Sequence, residues 1–171
     1  LAYSTDVTGD ERYTLRFKDL RTGELYEDII VGIGAGVTWA ADNRTVYYST
    51  VDDAWRPDTV WRHRIGAGLP AEKVYHEPDA KFWLAIGRTR SDKYILVAAG
   101  SAVTSEVRYG DATDPRAEFT VVPRLDADAV AHDEQLALHR VPQRETEHAA
   151  QVLDAIVAVF LVQVHDYFGV A

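Results

Sequence analysis

Five serines and six histidines are the residues of this chain that could carry nucleophilic or metal chemistry, and their spacing decides against most of it. A serine hydrolase holds its nucleophile on a sharp strand-to-helix turn between glycines, so that the hydroxyl is exposed and backbone donors can reach the oxyanion. No Gly-x-Ser-x-Gly occurs. Ser4, Ser49, Ser91 and Ser105 stand in strand or turn contexts, and Gly100-Ser101-Ala102 lacks both the second glycine and a following helix, so all five read as structural hydroxyls. Zinc needs three or four donors converging in space, commonly with two histidines one turn apart on a helix. His132-Asp133-Glu134, His139, Glu145-Thr146-Glu147-His148 and His165 lack that spacing and read as solvated surface. His63 alternates with strand residues and reads as packing or hydrogen bonding within its own sheet. No catalytic, cofactor-binding or metal-binding residue is assigned, and no cofactor is expected.

Charged and aromatic residues offer binding chemistry instead. Arg16, Arg62 and Arg108 stand 46 residues apart, each between an apolar residue and an aromatic one. Three guanidiniums in equivalent places around a ring could line a channel or bind carboxylates. The simpler account is structural: each hydrogen-bonds a neighbouring strand or pairs with an acid while its stem covers apolar surface. The acid pairs Asp52-Asp53 and Glu27-Asp28 could draw basic peptides, although loop acids on an acidic protein read first as solvated. Trp39, Trp55, Trp61 and Trp83 read as packing between sheets. Trp55-Arg56-Pro57 is the exception, a loop where an indole beside a guanidinium could meet a ligand or a partner domain.

The elements that must position these residues follow from the same repeat. Ala2-Tyr3-Ser4-Thr5 recurs as Tyr47-Tyr48-Ser49-Thr50 and more weakly as Leu96-Val97-Ala98-Ala99, and Glu24, Glu72 and Glu118 form a third series. A period of this length is that of a β-propeller blade. Strand-length stretches fall at 37–39, 46–50, 59–65 and 72–76, then at 83–87, 93–99, 103–109 and 118–122, four short strands per blade. The turns Ala40-Ala41-Asp42-Asn43-Arg44 and Arg90-Ser91-Asp92 carry residues that tolerate left-handed backbone. The first period supplies only 1–5, 13–18 and 24–30, matching the second, third and fourth strands. The fold class is therefore all-β: an incomplete propeller with blades at about 1–30, 36–77 and 82–123 and a partial one at 128–140. Residues 141–171 are left unassigned. From Glu145 to His165 the apolar spacing suits an amphipathic helix, with a strand or an irregular end left open by its β-branched residues.

Composition sets outer bounds. The chain has 171 residues, 47% of them apolar, enough for a sizeable core. With 27 acidic and 18 basic residues its formal charge is −9, which disfavours nucleic acid and favours cationic ligands. Cysteine is absent, so neither disulfides nor thiolate metal sites can form. The longest apolar run, Ala155 to Val162, falls short of the about 20 residues a membrane helix needs. Methionine is absent too, and the chain opens inside a strand pattern, so it is expected to be a piece of a longer protein.

Three phrases carry a family resemblance: Tyr13-Thr14-Leu15-Arg16-Phe17-Lys18-Asp19-Leu20 followed by Thr22-Gly23-Glu24; Val60-Trp61-Arg62-His63-Arg64-Ile65-Gly66; and Thr104-Ser105-Glu106-Val107-Arg108 with Asp111-Ala112. In order and spacing they resemble the propeller domain of the prolyl oligopeptidase family of serine peptidases, most closely its oligopeptidase B members. The likeness covers 1–124, continues faintly to 140 and is absent from 141–171. It implies a propeller that caps an α/β-hydrolase domain and admits short peptides, cleavage after Arg or Lys, and a cytoplasmic location. The catalytic serine, aspartate and histidine of the family lie elsewhere in the parent chain, so this chain alone is expected to be inactive.

Two other readings compete. A stand-alone propeller that binds proteins without chemistry lacks support from the Gly-His and Trp-Asp signatures of its best-known class. A carbohydrate-active propeller would need a pair of catalytic carboxylates, which is not evident. Because a partial ring leaves sheet edges and blade faces open, the isolated chain is expected to self-associate or to be marginally folded.

Overall fold

A computed structural model describes residues 1–34 and 36–122. Among them every regular element is a strand, and none is a helix long and apolar enough to cross a membrane. The first blade holds β1 (Ala2–Thr5), β2 (Tyr13–Lys18) and β3 (Leu25–Ile33). The second holds β4 (Thr38–Trp39), β5 (Thr45–Val51), β6 (Pro57–Arg64) and β7 (Glu72–His76). The third holds β8 (Trp83–Arg88), β9 (Tyr94–Gly100), β10 (Ser105–Asp111) and β11 (Thr120–Val121). Each blade is an antiparallel meander, and each expected strand through 122 has its counterpart. β3 runs past its own blade, and one bridge, Ile33 to Thr50, joins it to β5. The partial blade read at 128–140 and the tail at 141–171 lie outside the described residues.

The middle strands show why the pattern has two kinds of hydrophobic run. β5 and β9 are buried on both faces between stacked sheets, so their β-branched and aromatic residues run on without alternation. From β5, Val46 and Tyr48 join Leu15, Phe17, Ile33 and Ile65 in the core between the first and second blades, with Trp39 and Trp61 packed against it. Tyr47 points the other way, to Ile95, Ala40 and Ala112 between the second and third blades. Beside it Val60 meets Leu84, Val97 and Ala99. The Phe119 ring closes this second interface, 5.8 Å from Tyr47 and edge-on. It lies so near Gly110 that a Cβ there would meet it at 3.0 Å.

Aspartates set the turns. The Asp42 carboxylate accepts from the N–H groups of Arg44 (2.9 Å) and Thr45 (2.7 Å) and from the Thr45 hydroxyl (2.8 Å), closing the β4–β5 hairpin through Asn43 at φ 54°. In the third blade Asp92 takes the left-handed place at φ 61°, and the Thr89 hydroxyl accepts from the Tyr94 N–H. The strand directions put loops 6–12, 52–56, 77–82 and 101–104 on one rim of the blades. Loops 19–24, 40–44, 65–71, 89–93 and 112–119 lie on the other.

Candidate functional site

The three arginines of the 46-residue repeat do not share a face. Opposite Arg16 in the strand register stands Tyr3; opposite Arg62, Tyr47; opposite Arg108, Val97. Tyr47 faces the next blade, whereas Val97 faces the preceding one. Leu15 and Phe17 face the second blade, so Arg16 between them points back. Arg16, Trp61 and Arg108 are thus equivalent, and Arg62 is one residue out of step. A one-residue slip in a strand reverses the face, so no ring of guanidiniums forms. The structural account holds for two of the three. Arg62 donates to Glu72 Oε2 from Nη2 (2.6 Å) and Nε (3.2 Å), and from Nη1 to the Ala117 carbonyl of the third blade (3.2 Å). Arg108 lies 3.9 Å from the Tyr75 ring centroid and pairs with Glu106.

His63 works between blades and not within its own, as the sequence had suggested. It is buried, stacks on Phe17 of the first blade at 6.3 Å, and brings Nε2 within 2.7 Å of Asp28 Oδ1. The Gly66 N–H donates to the other oxygen of Asp28 (3.0 Å). Of the acid pair Glu27-Asp28, the second member is therefore committed to structure, while Glu27 is exposed. Asp52-Asp53 divides the same way. Asp52 accepts from the N–H groups of Ala54 and Arg56 and from Arg56 Nε at 2.9 Å, and Asp53 is exposed. Burial pushes the Asp52 carboxyl up, but these donors outweigh it and hold it below its ordinary value.

Arg56, which the sequence placed in a loop where it could meet a ligand, is buried. Its Nη1 donates toward the carbonyls of Glu77 (3.2 Å), Asp79 (3.1 Å) and Phe82 (2.9 Å), so one guanidinium ties the β5–β6 loop to the segment leading into the third blade. Its neighbour Trp55 is 39% exposed with φ 63°, and the Arg12 guanidinium lies 4.4 Å from its ring centroid. Trp39 and Trp61 pack in the core as expected. Trp55 is half-exposed in the loop that had set it apart, and Trp83, 44% exposed, departs from the packing expectation.

These two indoles belong to a concavity of about 650 Å³ on the rim of loops 6–12 and 52–56. Glu11, Tyr13 and Trp55 line it together with Trp83, Leu84, Ala85 and Ile86 of β8. β4 and β8 are the first strands of their blades and touch one another, so this concavity opens where a closed ring has its central channel.

Of the five serines, Ser4 and Ser49 lie on strands, Ser91 in the β8–β9 turn, and Ser101 and Ser105 at the two ends of the β9–β10 turn. Among the described residues, the nearest approach to a hydroxyl–imidazole–carboxylate relay is Thr59, His76 and Asp58, which sequence reasoning passed over because only the β6–β7 register brings it together. Thr59 Oγ1 is 3.0 Å and Asp58 Oδ2 3.7 Å from the same His76 nitrogen, Nδ1. A relay needs its two partners on opposite ring nitrogens, so this trio cannot move a proton from hydroxyl to imidazole to carboxylate.

Four-stranded meanders stacked face to face, with a concavity beside their first strands, define a β-propeller segment. Residues 1–141 match the family described as "Prolyl oligopeptidase, N-terminal beta-propeller domain", and the chain belongs to that family. It is 38% identical over 130 residues to "Dipeptidyl aminopeptidase BI" of Pseudoxanthomonas mexicana, covering 72% of this chain and 17% of that protein. To "Protease 2" of Moraxella lacunata it is 36% identical over 125 residues, covering 71% and 18%. Among solved structures it resembles oligopeptidase B from Leishmania major with a TM-score of 0.63 and 25% identity, over 69% of this chain and 17% of that one. Oligopeptidase B from Trypanosoma brucei, with covalently bound antipain, gives 0.59 and 30% over the same shares. The chain thus spans less than a fifth of the length of these relatives, and within their family it is the propeller part.

Proposed function

We propose that this chain is the substrate-gating portion of an oligopeptidase B-like serine peptidase that cleaves short peptides after Arg or Lys. The carrying observation is the match of residues 1–141 to the propeller domain of that family, together with two buried side chains, Arg56 and His63, that are spent on joining one blade to the next. In this reading the α/β-hydrolase domain of the parent chain supplies the nucleophile, and the propeller decides what reaches it. Its acidic loops, with Asp6, Asp10, Glu11, Asp53 and Glu77 on one rim, favour the approach of basic peptides over acidic ones. A cytoplasmic setting, where short peptides are the substrates to be cleared, belongs to the same proposal. The test is to read the coding sequence beyond Ala171 and assay its full-length product on arginyl and lysyl peptide substrates, with the 171-residue chain as control. Cleavage after Arg and Lys by the full product alone supports the proposal. A frame that closes shortly after Ala171 contradicts it.

A further inference from the structure

The concavity where the first, second and third blades meet carries its own recognition chemistry. Among the described residues, four other than glycine have a left-handed backbone: Glu11 (φ 58°), Asn43, Trp55 (φ 63°) and Asp92. Asn and Asp take that conformation at little cost in tight turns, but Glu and Trp do not, and both Glu11 and Trp55 line the concavity. Each is held there by a structural aspartate. The Glu11 N–H donates to Asp6 Oδ2 (2.9 Å), and the loop of Trp55 is closed by Asp52. Among the described residues the Glu11 carboxylate has no hydrogen-bond or ion-pair partner, so it stands on the wall uncommitted. The rest of the wall combines Tyr13, the two half-exposed indoles of Trp55 and Trp83 and the apolar residues of β8 with the polar Thr38 and Ser49.

We infer that this concavity is a subsite for a basic side chain, arginine or lysine, of a peptide lying in the propeller. The inference rests on the peptide-gating reading and adds where the propeller holds its ligand. An aromatic wall binds the face of a cation through the ring quadrupoles, and a single carboxylate at its edge supplies the counter-charge. Trp55 already does this inside the molecule, since the Arg12 guanidinium rests on its ring. Arg12 also brings positive charge to the loop, and Asp6, Asp10, Asp52 and Asp53 on the same rim offset it. The volume, about 650 Å³, accommodates a long side chain together with adjoining backbone.

The test is a titration of the 171-residue chain, followed by tryptophan fluorescence, with a blocked tripeptide Ala-Arg-Ala and with its citrulline counterpart, which keeps the shape and loses the charge. The exposed residues Ile29 and Val31 of β3 lie on the face of the first blade turned from the second, so self-association through them leaves the concavity accessible. The arginine peptide is expected to bind about tenfold more tightly than the citrulline one, and Glu11→Gln to erase that preference. Asp53→Asn, on the same rim but outside the concavity, should leave most of the preference in place. Trp55→Ala should weaken both peptides. Equal affinity for the two peptides, no binding of either, or an equal effect of Glu11→Gln and Asp53→Asn would overturn the inference. The readout is binding and not turnover, so an inactive full-length product beside an intact arginine preference would sink the peptidase reading alone, and loss of the preference beside an active product would sink this inference alone.

Discussion

Replacing Arg56 by methionine keeps the length and apolar stem of the side chain and removes the guanidinium that joins the second blade to the third. That side chain is 8% exposed and its partner Asp52 28%. Removing one member of a fully buried pair costs about 3–5 kcal/mol, because the other charge is left stranded. Here Asp52 keeps the N–H groups of Ala54 and Arg56 and some contact with water, which lowers the penalty, while the carbonyls of Glu77, Asp79 and Phe82 lose their shared donor. Taking a charge-assisted hydrogen bond as about 1.5–3 kcal/mol net, the loss comes to about 3 kcal/mol. For a domain of this size that lowers the melting temperature by about 6–12 °C. Arg56→Lys should recover about half of the loss, since an ammonium can meet Asp52 but cannot also span the carbonyls. Circular dichroism melts measure the loss, and amide exchange of β8 should quicken more than that of β2. A methionine variant melting within 2 °C of the parent, about the effect of an ordinary surface change, or a lysine variant as stable as arginine, would refute the reasoning.

Leu15→Ala hollows the core between the first two blades and should cost about 3 kcal/mol in urea unfolding, in the usual range for a buried leucine. Asp28→Ala leaves His63 Nε2 and the Gly66 N–H without their acceptor, and should cost about 2 kcal/mol by the same measurement. Acid titration tests Asp42: burial pushes its carboxyl up, but the Arg44 and Thr45 donors and Arg64 bring it below 3.8. A carboxyl depressed in the folded state contributes stability that is full above 3.8 and is lost as pH falls through the folded value. Asp42→Asn should therefore lower stability at pH 6 and flatten its decline between about pH 4 and pH 2. Sedimentation of the isolated chain should show concentration-dependent self-association, weakened by Val31→Lys on β3, where Val31 is 71% exposed.

Strands and blades were legible in the sequence because each blade pairs its strands in chain order, and the period-2 and turn signals are local. The β4–β5 turn could be read from Asp42-Asn43, since the Asp42 carboxylate makes the bonds that close it and Asn43 takes the left-handed place. The arginine repeat misled for a physical reason. A 46-residue step keeps residue type in register, while the faces follow steps of 45 and 47 along the third strands, from Arg16 to Trp61 to Arg108. Only the cross-strand partners Tyr3, Tyr48 and Val97 reveal this, and they require the paired sheet. The same holds for His63, whose partner Asp28 lies on a different blade, and for Arg56, whose partners lie 21 to 26 residues onward. The concavity was half legible. Trp55 was marked as exceptional by its loop, but Glu11 and Trp83 carried no local signal and meet it only where three blades come together.

The most direct test of the account is a length series on the full-length product: one arginyl bond presented in a pentapeptide, in a 20-residue peptide and in an exposed loop of a folded protein. A propeller that gates the active site predicts efficient cleavage of the pentapeptide, a lower kcat/KM for the longer peptide and none for the folded protein. Cleavage of all three at similar rates would show that these blades do not stand between substrate and nucleophile, and would contradict the account.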